Sequence, residues 1–316
     1  MLFKPMFFME NQNQTTEGYV CPCIGRVGEM YFDERNNRIK FLCTELQESQ
    51  TDLNNQIIRG TESMRASGAT RLNARFFTTV PYWVNLEARI PLNNGHSGTD
   101  FIFVGVNEPS RVDGAEIIAA ENNLVRRVLA VPGHEIIIPS GYDIQRLTTE
   151  NVTQNDIEQM SRLYQQAFPT YTSDTSPSAV TSLIQNTIAF GARSLETGQI
   201  VSTTVAEIAN IPTSFGDFRL CELSEMATLR EHRGRGLSEA ISQQLVEAIR
   251  NNVDLIYAEA RASHEPINRV FHNIGFDFAG RIMKQCILSG DSDVHESGPY
   301  ENLNVWYMLP ENRANE

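Results

Sequence analysis

The chain is short of positive charge. It carries 26 Lys and Arg against 39 Asp and Glu, a formal net charge of −13. Nucleic-acid binders present a basic face to phosphates, so this balance disfavours that class. It suits a cationic small-molecule substrate, although net charge speaks first to solubility. No apolar run approaches the roughly 20 residues that span a bilayer, and no membrane partner is expected. Cysteine is scarce and odd in number, with Cys21, Cys23, Cys43, Cys221 and Cys286 scattered along the chain. That argues for reduced thiols in a cytoplasmic setting. Cys21-Pro-Cys23 has no second ligand pair at zinc-site spacing, so both read as incidental thiols and no metal is expected. Trp83 and Trp306 are the two tryptophans, each expected in the core of a late strand. The start "MLFKPMFFMENQNQTTEG" lacks a basic n-region and a small-residue cleavage site. Residues 1–18 are therefore expected to form a disordered leader and not a signal peptide.

What is present divides into two halves. "AVPGHEIIIPSGYDIQRLTTEN" is punctuated by Pro132-Gly133 and Pro139-Ser-Gly141, which predicts a junction. Residues 19–138 would form one domain and residues 139–316 another. In the second, a strand is expected over Asp143–Leu147. A helix follows from about Asn155 to Phe168, with Ile157, Met160, Leu163, Tyr164 and Phe168 on one stripe. A further helix is expected near Ser178–Asn186, then two strands, Thr187–Ser194 and Gln199–Ile208. A strand across Arg219–Leu229 leads into a glycine turn and a helix with Leu237, Ile241, Leu245, Ala248 and Ile249 at helical spacing. Strand "DLIYAEARA", helix "EPINRVFHNI" and strands "GFDFAGRIM" and "NLNVWYML" complete the pattern. The first half carries "ATRLNARFF", "PYWVNLEARIP" and "TDFIFVGV". These match the last three strands in order and character, as a degenerate internal repeat would. The first half has no Gly-x-Gly turn.

The turn itself is Arg233-Gly234-Arg235-Gly236. A strand that ends in a glycine turn and opens a helix makes an anion site, because the first helical N–H groups are unpaired and the dipole adds positive charge. Glycines admit phosphate oxygens close to the backbone, and Arg233 and Arg235 can add charge-assisted bonds. It is not the dinucleotide fingerprint, since position 239 is Glu, nor a P-loop, since no Gly-Lys-Ser/Thr follows.

With Leu237-Ser238 after it, this turn resembles the pyrophosphate motif of the GNAT acyl-CoA N-acetyltransferases, Gln/Arg-x-x-Gly-x-Gly/Ala, with Ser238 in place of the last small residue. "INRVFHNIGF", with Asn268, Phe271 and Gly275-Phe276, resembles the family's next motif. "CELSEMATLREHRGRGLS", "YAEARAS", "GFDFAGRI", "ILSG" and "ENLNVWY" resemble the β-lysine N-acetyltransferases, over roughly residues 25–310. The resemblance implies an α/β GNAT fold, a mixed, mostly antiparallel sheet flanked by helices, with a degenerate GNAT-like first half. It implies acetyl-CoA as co-substrate in a V between two strands. The pantetheine would pair along Glu225-Met226-Ala227-Thr228 and the pyrophosphate would lie on Arg233–Ser238, with Asn268 and Phe271 nearby. "DSDVHESGPY" and "MKQC" depart from the family pattern. The partners implied are acetyl-CoA and a small amine, with a homodimer as the assembly considered.

Acetyl transfer needs a neutral amine, and an alkylammonium with a pKa near 10.4 must first lose its proton. Glu222 and Glu225 lie on the strand before the turn. Three residues apart, they point to opposite faces of a regular strand, and a bulge would bring both to one face. Glu222 precedes Arg233 by the interval at which some relatives hold their general base. Many relatives protonate the leaving thiolate with a Tyr where this chain has Phe271, so Tyr257, Tyr307, His272 or water would take that role. His232 and His264 read as surface or helix-entry residues. The resemblance makes β-lysine or a similar diamino acid the leading acceptor; the rival readings are transfer to another amine (a polyamine, an aminoglycoside or a protein amine) and a non-catalytic acyl-CoA sensor, since Phe271 removes one catalytic group.

Overall fold

The computed structural model describes residues 20–21, 25–26, 28–92, 98–168, 174–288 and 299–310. The leader expected over residues 1–18, Cys23 and the segment around His295 lie outside the described residues. The first half runs β1 (Val20–Cys21), β2 (Gly25–Arg26), β3 (Tyr31–Asp33), β4 (Arg38–Gln47), α1 (Gln50–Ala66), β5 (Arg71–Thr78), β6 (Leu86–Leu92), β7 (Thr99–Asn107) and α2 (Ala115–Leu129). The second runs β8 (Tyr142–Leu147), α3 (Gln154–Ala167), α4 (Pro177–Asn186), β9 (Ile188–Ser194), β10 (Ile200–Thr213), β11 (Gly216–Thr228), α5 (Leu237–Ile249), β12 (Leu255–Arg261), α6 (Glu265–Asn273), β13 (Asp277–Ile287) and β14 (Tyr300–Met308).

One sheet of 12 strands runs through both halves in the order β3-β4-β5-β7-β6-β13-β14-β12-β11-β10-β9-β8. The order β5-β7-β6 in one half is mirrored by β13-β14-β12 in the other. Each half also has one parallel pair joined by a helix, β4 with β5 through α1 and β11 with β12 through α5. Local signals place the elements. Thr153 and Asp156 form a reciprocal capping box at the start of α3, and Ile157, Met160, Leu163 and Tyr164 bury its stripe. Helices α3 and α4 cover one face of the second half, while α5 and α6 share a core on the other with Leu124 and Val128 of α2.

The halves meet at β6 and β13, whose single register pair is Gly280 with Ala88. A Cβ at Gly280 would lie 2.2 Å from the Glu87 carbonyl oxygen and 2.7 Å from Ala88 Cα, so glycine is required for this approach. Beyond that pair, side chains of the first half satisfy the backbone of β13. Arg111 donates to the Lys284 and Gln285 carbonyls, and Arg38 donates to Gln285. Glu87 accepts from the Met283 amide and Asn36 from that of Ile287. The sheet then curls. The tip of the β10–β11 hairpin touches β4 through Ser214, and Phe77 packs against Phe215 and Phe218 at centroid distances of 5.2 and 5.0 Å.

Two expectations for the first half are corrected. The chain turns at Asn85 (φ 54°) and the strand begins only at Leu86. Trp83 is consequently outside the core and 70% exposed, and Tyr82 is buried in its stead. Trp306 is buried as expected, and Cys43, Cys221 and Cys286 are buried free thiols. Among the described residues no helix is long and apolar enough to cross a membrane.

Candidate active site

Strands β11 and β12 pair in parallel over three residues, Leu220 with Leu255, Cys221 with Ile256 and Glu222 with Tyr257. After that, β11 continues to Thr228 paired with β10, and β12 continues to Arg261 paired with β14. The two strands therefore fork, with Glu222 and Tyr257 at the apex. The first half shows the contrast, for β4 and β5, after an irregularity between Leu42 and Leu46, pair again up to Gln47 and Thr78 at their ends and open no fork there.

A bulge sits on the free arm of β11. Val205 pairs with Ser224 and Thr203 with Ala227, so Glu225 and Met226 together face Thr204. Glu225 takes φ 50° to make this possible. The side-chain alternation shifts by one, as the bulge anticipated from the sequence requires. Met226 packs into the core under α5, while Glu225 lies beside Tyr164 on the face of α3, where burial first and then the Glu225 charge push the tyrosine pKa up. Glu222 faces the same side as Leu220 and Tyr257. Both glutamates thus reach one face.

That face is rich in carboxylates. The Tyr257 hydroxyl donates to Glu222, and Ser224 donates to Glu207 at 2.5 Å. Glu259, two residues beyond Tyr257, accepts from Arg75 of β5 at 2.6 Å. Burial, then the charge of Glu259, push the Glu222 carboxyl up to about 8, against the opposing pull of Arg75. A carboxylate in that range suits proton transfer near neutral pH.

The other side of the fork ends at the glycine turn. Gly234 and Gly236 have φ +73° and +76°, and a Cβ at either would meet no atom within 4 Å. Glycine is required there by backbone conformation, and the space above the turn is open. Gly236 is the N-cap of α5 and offers no side-chain bond to the helix start, which leaves first-turn N–H groups for a ligand. The equivalent start of α1 is closed, because Ser49 accepts from the Asp52 amide at 3.1 Å. Arg233 and Arg235 donate to the turn's own Thr228 and Glu231 carbonyls while remaining exposed. Ser238 stands 3.2 Å from the Thr228 hydroxyl, tying the helix start to the strand end. Leu237 and Ala227 are buried.

Asn268 and Phe271 lie deeper than the sequence motif suggests. Asn268 has no exposed surface. Its amide donates to the Arg261 and His264 carbonyls, and its oxygen accepts from Asn304 and Trp306. With these four bonds it fixes the end of β12 against α6 and has no polar atom left for a ligand. Phe271 is 1% exposed and packs on Phe276. His272 bonds the Val131 carbonyl and His232 bonds Tyr142, so both histidines brace the junction and the turn. A cavity of about 490 Å³ between α2 and Ser263 lies just past the end of β12. Sequence reasoning missed Arg75, Glu207 and Glu259. The signal was the alternation in "RLNARFF", where polar Arg71, Asn73 and Arg75 line one face of a fully buried strand.

Residues 217–284, which span β11, the turn, α5, β12, α6 and most of β13, match the family model described as FR47-like protein. Around that match, the second half is a mixed sheet with helices on both faces. A curated relative, the N-acetyltransferase YodP of Bacillus subtilis, is 25% identical over 160 residues, covering 50% of this chain and 53% of that protein. The β-lysine N(6)-acetyltransferase of Methanosarcina mazei is 26% identical over 175 residues, covering 54% and 57%. The chain thus spans about half the length of the curated relatives it matches. Among solved structures, a GNAT-superfamily phosphinothricin acetyltransferase from Sinorhizobium meliloti, in complex with acetyl-CoA, aligns with a TM-score of 0.44 at 15% identity, over 56% of this chain and 92% of that one. Among the described residues no group of His, Cys, Asp and Glu is arranged to hold a metal ion.

Proposed function

We propose that the chain is an acetyl-CoA-dependent N-acetyltransferase whose active half is residues 139–316. The observation that carries this is the fork. It opens beyond Glu222 and Tyr257, with an uncapped helix start behind glycines on one side and inward-facing carboxylates on the other. Acetyl-CoA would lie along the free arm of β11, at Glu225–Thr228, with its pyrophosphate on Arg233–Ser238. The amine enters from the carboxylate face, and Glu222 takes its proton. The amine nitrogen then forms the new bond to the acetyl carbon and gives up a second proton, the carbon–sulfur bond breaks, and the leaving thiolate takes up one proton, so that one proton is released overall. Tyr257, hydrogen-bonded to Glu222, is a side-chain relay for the thiolate's proton. Catalysis comes mainly from positioning and from removing one proton.

The acceptor is a small amine with additional positive charge, a diamino acid such as β-lysine before others. The carboxylate-rich face and the likeness to the Methanosarcina mazei enzyme support this. Buried free thiols support a cytoplasmic setting. A second reading, a sensor that binds acyl-CoA without transfer, is favoured by Phe271 at a position where many relatives carry a tyrosine. The test is CoA release with β-lysine, lysine, a polyamine, an aminoglycoside and an N-terminal peptide. Release with a diamino acid above the others supports the reading. Acetyl-CoA binding without release for any amine favours the sensor.

A further inference from the structure

The first half opens no fork and caps its helix start, yet it sends one charged side chain into the site of the second half. Arg75 sits mid-way along β5 and is 1% exposed. Its neighbours Ala74 and Phe76 belong to the first half's own core, while Arg75 turns the other way, toward the seam. Its Nη2 donates to Glu259 Oε1 at 2.6 Å. The guanidinium lies over the Phe103 ring at 5.1 Å and the Tyr257 ring at 5.7 Å. Tyr257 in turn donates to Glu222.

We propose that Arg75 is a positioning residue of the second half's active site, holding Glu259 and the Tyr257 ring and, through them, Glu222. This rests on the reading of Glu222 as general base. The groups that face Glu222 are Glu207 from β10, Tyr257 and Glu259 from β12, and Arg75 from β5, with Tyr307 of β14 cross-strand from Tyr257. Arg75 is the one cation among them. Carboxylates crowded in a low-dielectric patch compete to hold protons, and a buried guanidinium tips that competition toward ionisation. A lysine could supply the charge but not the combination of ring stacking and a directed carboxylate bond.

The geometry gives two substitutions opposite signs. Removing Arg75 leaves Glu222 among anions, so it holds its proton to higher pH. Removing the charge of Glu259 frees Glu222 to ionise at lower pH. A merely structural role would move both variants the same way, by loosening the seam. The measurement is a ¹³C-carboxyl NMR titration of the full chain with labelled glutamate. The Glu222 resonance is assigned by its loss in Glu222→Gln. Arg75→Met should raise the midpoint by at least about one pH unit and Glu259→Gln should lower it by a similar amount. Arg75→Lys should stay within about half a unit of wild type, because the charge is kept. If Arg75→Met fails to fold, Arg75→Lys and Glu259→Gln decide. Shifts of the same sign, or none in any variant, overturn the proposal. The pH profile of kcat/KM is then recorded with an acceptor amine and should follow the NMR midpoints. If the midpoints move as expected and the profile does not, Arg75 holds Glu222 as argued, and the reading of Glu222 as general base is what fails.

Discussion

Gly280→Ala is the sharpest test of how the halves are joined. The new Cβ would meet the Glu87 carbonyl oxygen at 2.2 Å and Ala88 Cα at 2.7 Å, and both are backbone atoms that cannot rotate away. The residue would also have to hold φ +147°, a region nearly closed to side chains. Overpacking a filled seam costs about 1–3 kcal/mol, and strain of this kind costs about 1–3 kcal/mol. Together they predict about 2–6 kcal/mol. An unfolding entropy of about 2.1 cal/mol/K per residue over 316 residues is about 0.66 kcal/mol/K, so Tm should fall by about 3–9 °C. Gly198→Ala is the control, since Gly198 has φ +70° but no atom within 4 Å of a Cβ. It should cost about 1 kcal/mol and less than about 2 °C. Melting followed by circular dichroism reads both. Calorimetry should find acetyl-CoA affinity nearly unchanged in Gly280→Ala, because the fork and turn lie within the second half. A Gly280→Ala protein that melts no lower than Gly198→Ala would refute the requirement for close backbone approach at the seam.

Gly236→Ala points a methyl into the open space above the turn, and acetyl-CoA affinity measured by calorimetry should fall at least about tenfold, or 1.4 kcal/mol. Unchanged affinity in a folded variant would move the pyrophosphate elsewhere. Glu222→Gln should lower turnover by about 10²–10⁴-fold and remove the limb of the pH–rate profile that rises toward pH 8, with partial recovery at higher pH as more amine becomes neutral; Glu225→Gln should mainly raise KM for the amine. Because the folded-state carboxyl of Glu222 is raised from 4.5 to about 8, the native state binds more protons than the unfolded state between those values. Its contribution therefore falls as pH rises through that window, and denaturant melts should show a flatter pH dependence in Glu222→Gln. Equilibrium dialysis should give one CoA per chain, since α1 is capped by Ser49 and β4 and β5 are paired again at their ends, Leu46 with Phe77 and Gln47 with Thr78; two would contradict this.

Much of the second half was legible because its periodicities are clean. The helix expected over Asn155–Phe168 is Gln154–Ala167, and the strand expected over Arg219–Leu229 is Gly216–Thr228. Alternation and helical spacing report burial on one face, and here burial decides the elements. The need for a bulge near Glu225 could also be reasoned out, since two glutamates three apart reach one face only if the alternation slips. Trp83 misled because an aromatic near a strand suggests the core, while Asn85 at positive φ turns the chain first. The polar seam was illegible for a different reason. Arg75 and Glu259 are 184 residues apart, and nothing local records that one half's inward arginine answers the other half's glutamate. Asn268 shows the same limit from the other side, since a motif position proved to be the hub of four buried bonds.

The way β13 is satisfied bears on how far the chain could be shortened. Its outer edge meets a partner strand at one pair, and its Met283 and Ile287 amides and Lys284 and Gln285 carbonyls are answered by Glu87, Asn36, Arg111 and Arg38. A fragment trimmed to residues 139–316 would bare an 11-residue strand edge with hydrogen-bonding groups in want of partners. Such an edge is a template for intermolecular pairing and aggregation. The half without a glycine turn is thus a permanent cover for its neighbour, and shortening the chain from that side would uncover an edge prone to pairing with other chains.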